Sequence, residues 1–132
     1  SSFDYEKYKN DFGKIDSIIH FAGQSSAELS FKDPLYDFNT NLKSTIKLLD
    51  FANKNDVKSF IFASSVTVYT PGQVMPLKET NEANNANSFY AVTKLTSEKY
   101  IDLFSMPKVF ITGINGQDGS YLTEHLLVFR VG

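Results

Sequence analysis

The sequence predicts an α/β fold in which helices cover a parallel sheet. Short apolar runs rich in β-branched and aromatic residues alternate along the 132 residues with longer stretches whose apolar residues recur every three or four positions. The first pattern is typical of buried parallel strands and the second of amphipathic helices. A glycine-rich turn, TGINGQDG, also follows one of the apolar runs. A chain of this length can bury one core, so residues 1–132 are expected to form a single domain.

Two strands and a long helix are predicted in the first half of the chain. The run KIDSIIHFAG, residues 14–23, is compact and apolar and ends at a glycine, as expected for a buried strand that leads into a loop. Apolar residues at helical spacing predict an amphipathic helix over residues 33–55. The run VKSFIFASSVTVY predicts a second strand over residues 57–69, which brings Ser64 and Ser65 near its carboxyl end.

The second half continues the alternation. Residues 70–88 are polar and contain two prolines and four asparagines, which predicts a surface loop. Another amphipathic helix is predicted for residues 88–105, and KVFIT, residues 108–112, predicts a third strand that leads into the glycine turn. A short helix over residues 119–127 and a strand-like fragment, VFRVG, are predicted after that turn.

Composition argues against several functions. The net charge of −2 and the scattered lysines provide no basic surface, so nucleic acid is not an expected partner. Neither a signal peptide nor an apolar run of about 20 residues is found, which predicts a soluble, cytoplasmic protein without membrane contact. The chain has no cysteine, and His20 and His125 are far apart in sequence. Thiolate catalysis is therefore excluded, and no metal site is expected.

The glycine turn has the spacing GxxGxxG, formed by Gly113, Gly116 and Gly119. It lies between a predicted strand and a predicted helix, the position in which a backbone without side chains can approach a pyrophosphate. Free N–H groups at the following helix N-terminus would favour the negative charge. The alternative is an ordinary tight turn between a strand and a helix.

Tyr90 and Lys94 lie four residues apart on a predicted helix and therefore share one face. An ammonium beside a phenol lowers the phenol pKa, which would make Tyr90 a general base. The alternative is an ordinary exposed pair. Ser65, at the end of the second predicted strand, favours the catalytic interpretation. A hydroxyl donor beside such a pair suits proton removal from an alcohol while hydride leaves the same carbon.

Four motifs carry a resemblance to a known family: TGINGQDG, IIHFAG, FIFASSVTVY and SFYAVTKLTSEKY. Together they resemble the extended short-chain dehydrogenases, the NAD-dependent nucleotide-sugar epimerases and dehydratases. The resemblance implies a Rossmann-type doubly wound parallel sheet with helices on both faces. It also implies transient oxidation at C4 of a sugar linked to a nucleoside diphosphate. By this resemblance Tyr90 would be the base at the sugar 4-hydroxyl. Lys94 would lower the pKa of that base and hold the cofactor ribose, and Ser65 would orient the sugar oxygen.

The same resemblance implies which residues bind NAD. The glycine turn would hold the pyrophosphate, while the loop after the first strand and the tip of the second would lie beside the cofactor. The predicted cofactor-binding residues are Phe21, Ala22, Gly23, Ser64, Tyr90, Lys94, Gly113, Ile114, Asn115, Gly116, Gln117 and Gly119. No ribose-reading residue can be assigned, so NADP is not excluded. Asn41 and His20 are expected to be structural.

Two positions distinguish the reactions within this family. Dehydratases place acidic residues just after the strand-tip hydroxyl, where this chain has Val66 and Thr67. Neither side chain transfers protons near neutral pH, so a 4-epimerase is predicted. The glycine turn, however, is most similar to that of GDP-mannose 4,6-dehydratases, and a dehydratase or reductase remains the alternative. A non-catalytic cofactor-binding module and a permuted scaffold are further alternatives.

The order of the segments differs from that of the family, in which the glycine turn comes first. The resemblance therefore implies an incomplete or permuted Rossmann sheet. In the family the strand before the glycine turn lies beside the first strand, on the side away from the second. That arrangement would need a left-handed crossover, which is found in only about 2% of parallel connections.

Two further expectations come from the family. Its C-terminal substrate domain is not present in these 132 residues. Its members commonly form homodimers through the Tyr/Lys helix, which would place Tyr100, Leu103 and Phe104 near an interface.

Overall fold

The computed structural model describes residues 13–78, 80–104 and 108–111. The glycine turn, the predicted helix over residues 119–127 and the fragment VFRVG lie outside these residues. None of the described helices is long and apolar enough to cross a bilayer.

The described strands form a parallel sheet in the order β1-β2-β3. They are β1, Ser17–His20; β2, Ser59–Ala63; and β3, Lys108–Ile111. All three lie within the runs predicted as strands. The second prediction was too long, because β2 ends at Ala63 and a 3₁₀ turn, Val66–Val68, follows it. The β-branched residues beyond the strand were therefore misread.

The third strand does not have the position beside β1 that the family order implies. β3 pairs with β2 on the side away from β1, so the chain advances across the sheet in one direction. The helices of both connections pack on the same face, and the two crossovers therefore have the same hand. This placement removes the left-handed crossover that the family order would have required.

Four consecutive helical segments connect β1 to β2. They are α1, Ala27–Lys32; α2, Pro34–Asp37; a π-helical segment, Phe38–Lys43; and α3, Ser44–Lys54. The predicted helix over residues 33–55 is confirmed in extent, but α1 and the π-helical segment were not foreseen. Within the wide turn, the Thr40 hydroxyl donates to the Tyr36 carbonyl at 2.8 Å and the Thr45 hydroxyl to the Asn41 carbonyl at 2.6 Å. Such side-chain donors compete with backbone N–H groups and distort the helix.

The helix α4, Phe89–Asp102, connects β2 to β3 and confirms the prediction over residues 88–105. It begins at Ser88, whose hydroxyl oxygen accepts the backbone N–H of Ala91 at 3.0 Å. The polar stretch before it is an irregular loop, as predicted. Asn85 fixes the end of that loop, because its backbone N–H donates to the Val68 carbonyl at 3.0 Å.

The core lies where α3 and α4 pack on one face of the sheet. Its buried side chains are Leu49 and Ala52 of α3, Val57, Phe60 and Phe62 around β2, and Ile101 of α4. On the other face Ile19 is 45% exposed. The predicted parallel α/β fold is therefore confirmed, whereas the described residues do not test the predicted helices on the second face.

Candidate functional site

The candidate site lies at the carboxyl edge of the sheet, where ligands bind in open α/β folds. Lys94 reaches this edge from α4, and its Nζ donates to the carbonyl oxygen of Ala63, the last residue of β2, at 2.8 Å. Ser64 and Ser65 follow directly. The helix α4, which also carries Tyr90, packs on the 3₁₀ turn after Ser65. The structure thus brings the three predicted catalytic residues to one edge.

Tyr90 and Lys94 are both buried, with 7% and 5% of their surface exposed. The alternative of an ordinary exposed pair is therefore wrong. The Lys94 Nζ lies 6.0 Å from the centroid of the Tyr90 ring and 4.7 Å from that of Phe62. The Lys94 ammonium therefore lies close both to the ring of the predicted base and to the edge of the sheet.

Burial lowers the pKa of Lys94 from 10.5 to about 8. The negative charges of Asp37 and Glu98 act in the opposite direction and limit the fall. Lys94 therefore remains mostly protonated at pH 7. An ammonium in this place can stabilise negative charge that develops on a neighbouring oxygen.

The two serines at the tip of β2 have different environments. Ser64 is buried and its hydroxyl donates to the Glu98 carboxylate, whose pKa is raised mainly by burial. Ser65 is half-buried, and its Oγ accepts the Thr67 hydroxyl at 3.0 Å and the Thr67 backbone N–H at 3.3 Å. Among the described residues none accepts the Ser65 hydroxyl proton, which can therefore be donated to a substrate oxygen. The prediction that Ser64 contacts the cofactor stays a prediction.

The loop after β1 contains Phe21, Ala22 and Gly23, all exposed. A side chain at Gly23 would collide with Asn41 Oδ1, and the glycine φ of +154° is one that other residues rarely adopt. The same Asn41 oxygen accepts the backbone N–H of Gln24 at 2.9 Å. Glycine is therefore required here so that the loop can lie directly on Asn41, which is buried as expected of a structural residue.

Sequence reasoning missed Asp37, which is fully buried at the end of α2. Its Oδ1 accepts the side-chain amides of Gln24 and of Asn41, the latter at 3.0 Å, and its Oδ2 accepts the Thr93 hydroxyl at 2.7 Å. The sequence signal was faint: a carboxylate four residues before an asparagine on a predicted helix. Thr67 was also missed as a partner of Ser65.

His20, at the end of β1, is a packed core residue. Its Nε2 lies 2.9 Å from the Thr45 hydroxyl, and its ring centroid is 5.6 Å from that of Phe62. Burial, reinforced by the positive charge of Lys94, lowers the His20 pKa from 6.5 to about 4. His20 is therefore neutral at pH 7, which agrees with the structural role expected for it.

The remaining predicted cofactor residues lie outside the described part of the chain. They are Gly113, Ile114, Asn115, Gly116, Gln117 and Gly119.

Residues 2–106 match the NAD dependent epimerase/dehydratase family. The chain belongs to this family. The match spans the motifs around Gly23, Ser65 and Tyr90 and ends before the glycine turn. The recognition made from the sequence is therefore confirmed.

Members of this family that resemble the chain include 4-epimerases. UDP-glucose 4-epimerase of Yersinia enterocolitica is 35% identical over 103 residues, which cover 76% of this chain and 31% of that protein. A solved structure of UDP-N-acetylglucosamine 4-epimerase from Methanobrevibacter ruminantium M1 superimposes with a TM-score of 0.72 at 29% identity, covering 82% of this chain and 35% of the other.

UDP-glucose 4-epimerase of Bifidobacterium longum, solved in complex with NAD⁺ and UDP, gives a TM-score of 0.71 at 30% identity, covering 80% of this chain and 33% of the other. These likenesses confirm the Rossmann-type fold. The chain spans about a third of the length of the relatives it matches.

Proposed function

We propose that this chain supplies the base and part of the cofactor site of an NAD-dependent nucleotide-sugar 4-epimerase. One observation carries the proposal: Tyr90 and Lys94 are buried together on α4, and Lys94 is bonded to the end of β2 next to the strand-tip serines. Family membership and the likeness to several 4-epimerases support it.

In the proposed reaction the Tyr90 phenolate takes the proton of the sugar 4-hydroxyl and becomes a phenol. The Lys94 ammonium, whose Nζ lies 6.0 Å from the centroid of the Tyr90 ring, would stabilise that phenolate before the proton arrives. Ser65 donates its hydroxyl proton to the sugar oxygen and fixes its direction, because the Ser65 oxygen itself already accepts two hydrogen bonds from Thr67. Tyr90 returns the proton once the sugar has turned over in the site.

The described residues suit a dinucleotide. The exposed loop from Phe21 to Gly23 and the buried Lys94 lie at the carboxyl ends of β1 and β2, where such cofactors bind in this fold. Lys94 would bond the ribose, and the loop would lie beside the ring system. When bound, NAD would accept hydride from C4 and return it to the other face. NADP is an alternative, because the residue that reads the ribose is not identified.

The strand tip favours an epimerase over a dehydratase. Elimination of water needs an acid and a base beyond the tyrosine. Val66 is apolar and half exposed, and the Thr67 hydroxyl is bonded to Ser65. Neither supplies an ionisable group. UDP-sugars are the first substrates to test, since the relatives include UDP-glucose and UDP-N-acetylglucosamine 4-epimerases.

The proposal includes a homodimer and a cytoplasmic location. Tyr100 and Leu103, which are 41% and 82% exposed, leave an apolar surface at the end of α4. Phe104 instead packs against the core, so its predicted place near an interface is not supported. Sedimentation of the intact protein would test the dimer.

The decisive test replaces Tyr90 with phenylalanine in the intact protein. Tyr90→Phe should lower turnover about 10³-fold, because it removes only the hydroxyl that carries the proton. The variant should retain its bound NAD, measured as the amount of NAD released when the purified protein is denatured. Tyr36→Phe is the control, since Tyr36 is an exposed tyrosine on α2. Full activity of Tyr90→Phe would disprove the assignment. Bound NAD in a wild-type protein that converts no nucleotide sugar would indicate a cofactor-binding module.

A further inference from the structure

A fully buried carboxylate, that of Asp37, lies between the loop after β1 and the helix that carries the base. Burying a carboxylate is expensive unless several donors replace its hydration. Asp37 has three, and they come from three parts of the chain: Gln24 of the loop, Asn41 of the π-helical segment and Thr93 of α4. Hydrogen bonds to a charged acceptor are short and directional, so they fix the relative positions of these parts.

The neighbours of the donors are the proposed functional residues. Gln24 follows Gly23 directly, and the backbone N–H of Gln24 is held by Asn41. Thr93 lies between Tyr90 and Lys94 on α4, and all three are buried. One carboxylate therefore connects the loop expected to face the cofactor with the helix expected to supply the base.

We propose that Asp37 is a positioning residue that holds the loop after β1 and helix α4 in the relative position that the reaction needs. This inference rests on the proposed function and deepens it. The Asp37 carboxylate acts through Thr93 and Gln24 and does not touch substrate. Its negative charge also opposes the fall in the pKa of Lys94 that burial causes, which helps keep that ammonium protonated.

The test uses the intact protein with four single variants and the double variant Asp37→Asn/Thr93→Val. Asp37→Asn keeps the shape of the side chain but places an amide where an oxygen accepted a donor. Thr93→Val removes the hydroxyl that reaches Asp37, and Thr93→Ser keeps it. Asp50→Asn is the control, because Asp50 is an exposed carboxylate on α3 paired with Lys54.

Asp37→Asn and Thr93→Val should each lower kcat about tenfold, with KM for the nucleotide sugar changed less than about twofold, since misplacement of a reacting group affects the chemical step. Thr93→Ser should restore kcat to within about twofold of the wild type. The double variant should be little worse than Asp37→Asn alone, because both changes disrupt the hydrogen bond between Thr93 and Asp37. Asp50→Asn should be unchanged.

Affinity for NAD, measured by calorimetry, is a second readout that does not require turnover. Asp37→Asn and Thr93→Val should weaken NAD binding, and Thr93→Ser should restore it. If the wild type converts no nucleotide sugar, the proposed function fails and this readout still decides the inference. Unchanged kcat and NAD affinity in folded Asp37→Asn would overturn it. A Thr93→Ser variant as impaired as Thr93→Val would overturn it as well.

Discussion

The interface between the sheet and its helices has two halves of opposite character. Toward the amino ends of the strands it is apolar, with Leu49, Ala52, Val57, Phe60 and Ile101 all buried. Toward the carboxyl ends it is equally buried but polar, with His20, Asp37, Asn41, Thr45, Thr93, Lys94 and Ser97. Phe62 lies between them, since it belongs to the core cluster and contacts the Lys94 ammonium.

The two halves make different contributions to the protein. Apolar burial stabilises the fold in proportion to the area removed from water and has no preferred direction. Buried polar groups cost free energy unless each is bonded, and their bonds then specify direction. The apolar half therefore holds the helices on the sheet, whereas the hydrogen bonds of the polar half fix the orientation of Tyr90 and Lys94.

The largest stability effect is expected in the apolar half. Phe60→Ala removes a fully buried ring and should lower the free energy of unfolding by about 3–5 kcal/mol, measured by urea denaturation. Phe31→Ala is the matched control, because Phe31 is 59% exposed and should lose less than about 1 kcal/mol. If both variants lost the same stability, the stabilising role assigned to apolar burial around Phe60 would fail.

The polar half should make the stability of the protein depend on pH. Burial lowers the pKa of His20 from 6.5 to about 4, so between these values the unfolded chain binds a proton that the folded chain does not. The free energy of unfolding should therefore decrease as pH falls from 6.5 to 4, by about 3 kcal/mol over the full window.

His20→Gln has no titrating ring, and its stability should lack this component. Glu98, whose pKa is raised, contributes with the opposite sign but is present in both proteins. The difference between the two denaturation series therefore isolates His20. Parallel pH profiles for wild type and variant would contradict the prediction.

The smallest effect is expected at the strand tip. Thr67→Val removes the hydroxyl that donates to the Ser65 oxygen and should lower kcat about fivefold, since one hydrogen bond is worth about 1 kcal/mol. Thr67→Ser keeps the donor and should retain activity. Stability should change little, because Thr67 is only half-buried. A loss of stability with unchanged kcat would assign Thr67 to the structural half instead.

Sequence reasoning succeeded where the signal was local. The helical spacing of Tyr90 and Lys94 put both on one face, and the β-branched run before Ser65 gave the strand. Sequence reasoning failed where the role of a residue depends on contacts with residues distant in sequence. Asp37 looked like one more polar residue on a helix, because its three donors come from residues 13 before it, 4 after it and 56 after it.

The neighbours of β3 could not be read from its residues either. Its apolar composition suits any interior position of a parallel sheet, and the family order suggested the place beside β1. The position of β3 is instead set by chain connectivity. Because α4 packs on the same face as α3, a crossover of the same hand adds β3 on the far side of β2. The end of β2 was misjudged for a different reason: valine and threonine favour strands, but the Ser65 side chain caps a 3₁₀ turn there.

The π-helical segment, Phe38–Lys43, sets the rotational phase between α2 and α3. A wide turn carries one residue more than an α-helical turn would, and each residue of an α-helix advances the chain by about 100°. Deleting one residue here would therefore swing the Asp37 carboxylate roughly a quarter-turn away from Thr93 while the apolar face of α3 stayed on the sheet. The length of this segment, more than its composition, is what we expect homologous chains with the same aspartate and threonine to preserve.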